Sequence, residues 1–194
     1  MADIDRVLDM SWDLLRSGVE SRKHPMHLGV VATVADGKPE ARTVVLRRAD
    51  RDERRVCFHT DRRAPKVSEL SEQPAVSLVF YHPEERVQLR LRATAALHHG
   101  DEIAREAWRN SLLMSRACYL VKSAPSAELA GDLPQTGESP PAPTEEQVEP
   151  GFANFAVVEC VVEEIDWLHL QAGEHARAVC RFEDGRWVGT RVQA

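Results

Sequence analysis

His27–Leu70 reads HLGVVATVADGKPEARTVVLRRADRDERRVCFHTDRRAPKVSEL. His27–Val34 is rich in β-branched residues and stops at Ala35-Asp36-Gly37-Lys38, a turn signal. Ala41–Arg47 (ARTVVLR) is a second run of the same kind, so the pair predicts an antiparallel hairpin. The charged turn Arg48–Glu53 leads into a third strand, Arg55–Thr60 (RVCFHT). Pro65–Leu70 predicts a short helix with proline in its first turn.

Outward from this stretch the pattern continues. Ala75–Tyr81 predicts a strand, and Val87–Leu97 a long one in which Val87, Leu89 and Leu91 alternate with Gln88, Arg90 and Arg92. Such alternation buries one face and leaves the other for solvent, ligand or partner. Asn154–Ile165, His175–Phe182 and Trp187–Val192 complete the strands, with a turn at Asp184-Gly185. Ile4–Val19 and Asp101–Met114 have helical periodicity. Strands joined by short turns, without strand–helix alternation, predict a mainly β fold, an antiparallel β-barrel with peripheral helices.

The chain has 194 residues, which suits a single domain over 1–194. Gly131–Pro150 holds five prolines, five acids and no base, and is expected to be a disordered loop. That segment carries most of the net charge of −6, so the body is almost neutral. Arg42–Arg92 is locally basic, with twelve bases against eight acids. A local basic stretch on a neutral body argues against nucleic acid and fits a small anionic ligand. No apolar run reaches membrane-spanning length, and the acidic start resembles neither a secretory nor a transit signal. A cytoplasmic location is the expectation.

Cys57, Cys118, Cys160 and Cys180 form no CxxC pair and read as small buried hydrophobes. His24, His27, His98 and His99 lack a matching acid or cysteine set, so they read as exposed and no metal site is expected. Glu163, Glu164 and Asp166 read as a solvated strand end. GxSxG and GxGxxG are both absent, which leaves a nucleophile-elbow hydrolase and a Rossmann site unsupported.

One constellation remains. Arg42 and Arg47 bracket TVVL, His59-Thr60 end the next strand, and Asp61-Arg62-Arg63-Ala64-Pro65-Lys66 run into a helix. Cations at a helix N-terminus make a candidate phosphate site. On spacing alone, solvated surface cations are the simpler account.

The combination ARTVVLR, FHTDRRAPK, PAVSLVFY and RVQLRLRATA, with the closing ANFAVVECVVEEIDWLHL and HARAVCRF, resembles the pyridoxamine 5′-phosphate oxidase family of FMN-binding split barrels. The resemblance runs from about Arg16 to Val192, Gly131–Pro150 excepted. It implies a homodimer with FMN at the interface and a small-molecule substrate. It also implies that Arg42 and Lys66 hold the FMN phosphate, with Arg62 or Arg63 expected to compensate where the family pattern is incomplete. Thr43, Val44, Val45 and Leu46 would line the flavin, with Arg47 near its ring and His59 and Thr60 packed beside it. Gln88 would reach the ring system, and Arg177 would approach it across the interface.

The sequence departs from the family pattern in places. Ala64 stands where members often carry a phosphate-binding serine. Ala107 and Ser111 stand where vitamin-oxidising members carry a tyrosine and an arginine for the substrate phosphate, while Ser115 is retained. The resemblance thus points to an FMN-dependent oxidoreductase acting on another substrate. Two alternatives stay open: a non-catalytic flavin or ligand carrier of the same fold, and a barrel that has lost its cofactor.

Overall fold

Asp36 and Gly37, with φ of +51° and +72°, make the two-residue turn of the first hairpin. Positive φ at both turn residues matches the right-handed twist of the flanking strands. The computed structural model describes residues 4–128, 142–171 and 173–194. Helix α1 (Ile4–Glu20) precedes β1 (Leu28–Ala35), β2 (Lys38–Asp50), β3 (Arg55–Asp61), α2 (Pro65–Glu72), β4 (Ala75–His82) and β5 (Val87–His98). Then come α3 (Glu102–Arg109), α4 (Leu113–Ala117), α5 (Glu145–Val148), β6 (Phe155–Gln171), β7 (Glu174–Glu183) and β8 (Arg186–Val192).

All strand pairs are antiparallel, in the order β3-β2-β1-β4-β5-β6-β7-β8, and β3 also pairs with β6 to close a barrel. The closure is split at β6. Its Phe155–Val161 half pairs with β3, and its Glu164–Gln171 half pairs with β7 along the same edge. The β5–β6 register slips between Arg92 and Ala93, where Glu163 is the extra residue. A bulge bends a strand, here just where β6 changes partner. The mainly β, antiparallel split barrel expected from the sequence is the observed fold.

The barrel interior holds Val44, Leu46, Val56, Phe58, Leu78, Phe80, Leu89, Leu91 and Ile165. Helix α1 adds Val7, Leu8, Trp12 and Leu15 to this core. Gly18 lets α1 reach the following turn, because a Cβ there would lie 2.6 Å from the Met26 carbonyl carbon. A second cluster, Trp108, Phe155, Val157, Cys57, Ala104 and Val148, packs helices α3 to α5 onto the outside of β3 and β6.

Five expectations are corrected. Asp101–Met114 is not one helix: Asn110 ends α3, and buried Arg116 binds the carbonyls of Ser111 (2.9 Å) and Arg109 (2.5 Å). That guanidinium satisfies carbonyls that a continued helix would have used. Of Gly131–Pro150, residues 131–141 lie outside those described, whereas Glu145–Val148 is helical with a Thr144–Gln147 capping box. Its acids are used as partners: Glu149 accepts from Arg105 (2.5 Å) and Trp108 (3.1 Å), and Glu145 pairs with Arg116.

Glu164 and Asp166 are buried, not solvated. Arg177 binds Asp166 in a two-pronged fashion at 2.8 and 2.9 Å, and Arg90 closes on it at 2.5 Å. Arg181 reaches Glu164 at 2.7 Å. The long arginine side chains cover the acids, a tertiary effect invisible in the local pattern. His27 is also buried, with Nδ1 2.7 Å from the Gly18 carbonyl, and Cys118 is exposed while Cys57, Cys160 and Cys180 are buried.

Candidate functional site

Strand β2 alternates until Leu46. Arg42, Val44 and Leu46 are the more buried set, and Val44 and Leu46 enter the core, while Thr43, Val45 and Arg47 take the other face. Leu46 pairs with Phe58 and Arg48 with Cys57, so Arg47 is the extra residue of a bulge. A bulge re-aims a side chain without breaking the sheet. Arg47 consequently projects over β3, toward His59 and the α4 segment.

A cavity of about 300 Å³ lies there, lined by Thr43, Val44, Val45, Arg47, His59, Lys66, Ser111, Ser115, Cys118 and Tyr119. Beside it lies a larger chamber of about 740 Å³ that shares Arg47, His59, Ser111 and Ser115. Its other walls include Leu46, Cys57, Ile103, Leu112, Val157 and Glu159. The break between α3 and α4 brings Ser111 and Ser115 to both spaces.

Arg47 is the least satisfied group in this wall. Its Nε is buried and has no hydrogen-bond partner among the described residues. Burial pulls its pKa down, with a smaller contribution from Arg22, yet an arginine stays charged. Burial, and then Arg47, push the His59 pKa down to about 4, so its imidazole is neutral at pH 7. The ring stands edge-on to Phe155 at 4.8 Å. Burial pushes the Tyr119 phenol up to about 12, leaving it protonated.

At the other end, Lys66 opens α2 and donates to Thr60 Oγ1 at 3.1 Å. Burial, then Arg42, lower the Lys66 pKa. Arg42 is tied back: Nη2 donates to Glu69 at 2.8 Å, and Nη1 meets Thr33 Oγ1. Ala64, the N-cap of α2, offers no capping side chain. The first turn of α2 therefore lacks a side-chain acceptor beside two cations, a setting suited to a phosphate.

Thr43, Val44, Val45, Arg47, His59 and Lys66 thus come together in one cavity, with Leu46 in the adjoining chamber and Thr60 behind Lys66. Arg63 is placed elsewhere. Its guanidinium grips Asp61 at 2.6 and 2.9 Å and the carbonyls of Val121 (2.9 Å) and Lys122 (3.0 Å), anchoring the segment after α4. Gln88 and Arg177 share a register row with Leu168 between them. That row begins three strands from β2, about 14 Å around the sheet, so neither lines the cavity of its own chain.

Sequence reasoning passed over Glu159, Cys118, Tyr119 and the Arg42–Glu69 pair. Glu159 had a signal: it is the one acid in the apolar run Phe155–Val162. Cys118 and Tyr119 depend on the turn after α3 and the Arg42–Glu69 pair on the packing of α2 beside β2, and neither has a local signature.

Residues 9–99 match the family model described as pyridoxamine 5′-phosphate oxidase, FMN-binding domain. A pyridoxine/pyridoxamine 5′-phosphate oxidase of Caulobacter vibrioides is 25% identical over 188 residues, covering 92% of this chain and 80% of that one. A structure from Nostoc punctiforme, a pyridoxamine 5′-phosphate oxidase-related, FMN binding protein, superposes with a TM-score of 0.75 at 22% identity, over 96% of each chain. PhzG of Burkholderia lata, solved with tetrahydrophenazine-1-carboxylic acid, gives a TM-score of 0.68 at 16% identity, over 96% of this chain and 92% of that one. With the β6 split and the matched strands β1 to β5, the chain has the FMN-binding split-barrel fold, and its residues 9–99 match the pyridoxamine 5′-phosphate oxidase family.

Proposed function

We propose that this protein binds FMN over the outer face of β2 and works, as a homodimer, as an FMN-dependent oxidoreductase of a small organic molecule. The observation that carries this reading is the buried, unpartnered Arg47 Nε beside a neutral His59. A buried donor without an acceptor is costly, and a ligand acceptor removes the cost. Lys66, Arg42 and the first turn of α2 would hold the phosphate. Thr43 and Val45 would form the wall against the ring. FMN supplies reversible acceptance of two electrons; Arg47 would favour negative charge on it.

The dimer reading rests on the outer sheet face. Leu28, Val30 and Tyr81 are 53%, 42% and 45% exposed on adjacent strands β1 and β4. Their face continues through Thr43 into the cavity on one side and through Gln88 to Arg177 on the other. An exposed apolar patch flanked by polar groups fits a protein partner, and a second copy would bring Gln88 and Arg177 to the site.

The test is an absorption spectrum of the purified protein, with chromatography of whatever denaturation releases. One FMN per chain is expected. A colourless protein that also takes up no added FMN overturns the reading. Ala107 and Ser111, which leave the large chamber open, favour a second reading as a flavin carrier. Bound FMN that no amine, alcohol or nicotinamide donor reduces would select it.

A further inference from the structure

The larger chamber has its own chemistry. Its exposed charges, Glu20, Arg22, Arg48 and Glu106, are of both signs and screened by water. Arg48 is also answered by Asp50 and Glu53, each at 2.9 Å. The buried charge is different. Glu159, 6% exposed, stands on β6 directly opposite Cys57 on β3. Its Oε1 pairs with Arg55 at 2.8 Å, while Oε2 meets the Cys57 thiol at 4.0 Å. Burial, then Glu159, push that thiol up to about 12, so it stays a neutral, weak donor. A buried carboxylate oxygen that among the described residues meets a thiol, a weak donor, wants a stronger N–H donor. Ile103 and Leu112, 43% and 59% exposed, and Val157 supply apolar walls.

We propose that this chamber is a substrate subsite for an aryl- or alkylamine without a phosphate group, its ammonium directed at Glu159 and its carbon frame against Ile103 and Leu112. This rests on the reading of the adjoining cavity as the flavin site, in which Arg47 is engaged by the ring and does not serve an anion in the chamber. Arg55 answers Oε1 alone, so an anionic ligand would still lie against Oε2.

The experiment is calorimetric titration of the FMN-loaded and the flavin-free protein with tryptamine and with indole-3-propionate, which share a ring and differ in charge. Tryptamine is expected to bind about tenfold more tightly, the scale of one charge-assisted hydrogen bond. Glu159→Gln should bring the two affinities together. Equal or tighter binding of indole-3-propionate, binding of neither, or a ratio unchanged in a folded Glu159→Gln protein overturns the proposal. Should the variant fail to fold, the preference of the unaltered protein decides. A protein that takes up no FMN yet prefers tryptamine defeats the flavin reading and keeps the subsite. A protein that takes up FMN without the preference does the reverse.

Discussion

Arg42 and Glu69 form a 2.8 Å ion pair that ties β2 to α2 one turn beyond Lys66. Glu69 is 8% exposed, so removing its partner leaves a buried carboxylate uncompensated. Arg42→Ala should lower the stability of the flavin-free protein by about 2 kcal/mol and also weaken FMN binding. Lys66→Ala should weaken FMN binding while costing less than about 1 kcal/mol, since it loses one hydrogen bond to Thr60. Urea denaturation and FMN fluorescence titration separate the two effects. Equal stability losses would contradict the assigned roles.

Arg47→Met tests the bulge. The substitution removes a buried N–H without a partner, so the flavin-free protein should keep its stability or gain up to about 1 kcal/mol. FMN affinity should fall about tenfold or more. Retained affinity would show that Arg47 faces no ligand.

The His59 imidazole has a folded pKa of about 4 against an ordinary 6.5. Between those values the unfolded chain binds more protons, so stability falls as pH falls from 6.5 toward 4 and levels off below. The contribution reaches about 1.4 kcal/mol per pH unit. His59→Phe should flatten the stability profile in that window. Identical profiles for both proteins would show that the ring is not held neutral.

Asp166 shows the same sign at lower pH. Burial pushes its carboxyl up, but the hydrogen bonds and charges of Arg177 and Arg90 outweigh this and hold it below the ordinary value. Its stabilisation is full above the ordinary carboxylate pKa and is lost as pH falls through the folded one. Asp166→Asn leaves two guanidiniums facing a neutral amide and should cost about 3 kcal/mol at pH 7, read by urea denaturation. A loss under about 1 kcal/mol would mark the cluster as a surface network.

Val30 pairs with Thr43 on one side and Val79 on the other, so the exposed sheet face is contiguous with the cavity. Sedimentation of the unaltered protein should give a dimer, and Val30→Asp a monomer with weakened FMN binding. A monomer that holds FMN normally would rule out a shared site.

Local sequence specified the strands, the hairpin turns at Asp36-Gly37 and Asp184-Gly185, and the clustering of Thr43, Arg47, His59 and Lys66. Period-two alternation and positive-φ turn residues are local properties, written within a few positions of one another. The neighbourhood of the cavity was legible for the same reason, because its residues sit on adjacent strands β2 and β3 and the helix that follows. The tertiary structure alone left neither of two cations free. Arg63 looked available but is consumed by Asp61 and two carbonyls after α4, and Arg42 is shared with Glu69. It alone buried Glu164 and Asp166 beneath arginines, broke Asp101–Met114 at the carbonyls Arg116 claims, and set Glu159 against Cys57. Those outcomes join residues as far apart in the chain as Cys57 and Glu159. The meeting of such distant groups depends on barrel closure, and burial and pairing energies exist only once the closure is made.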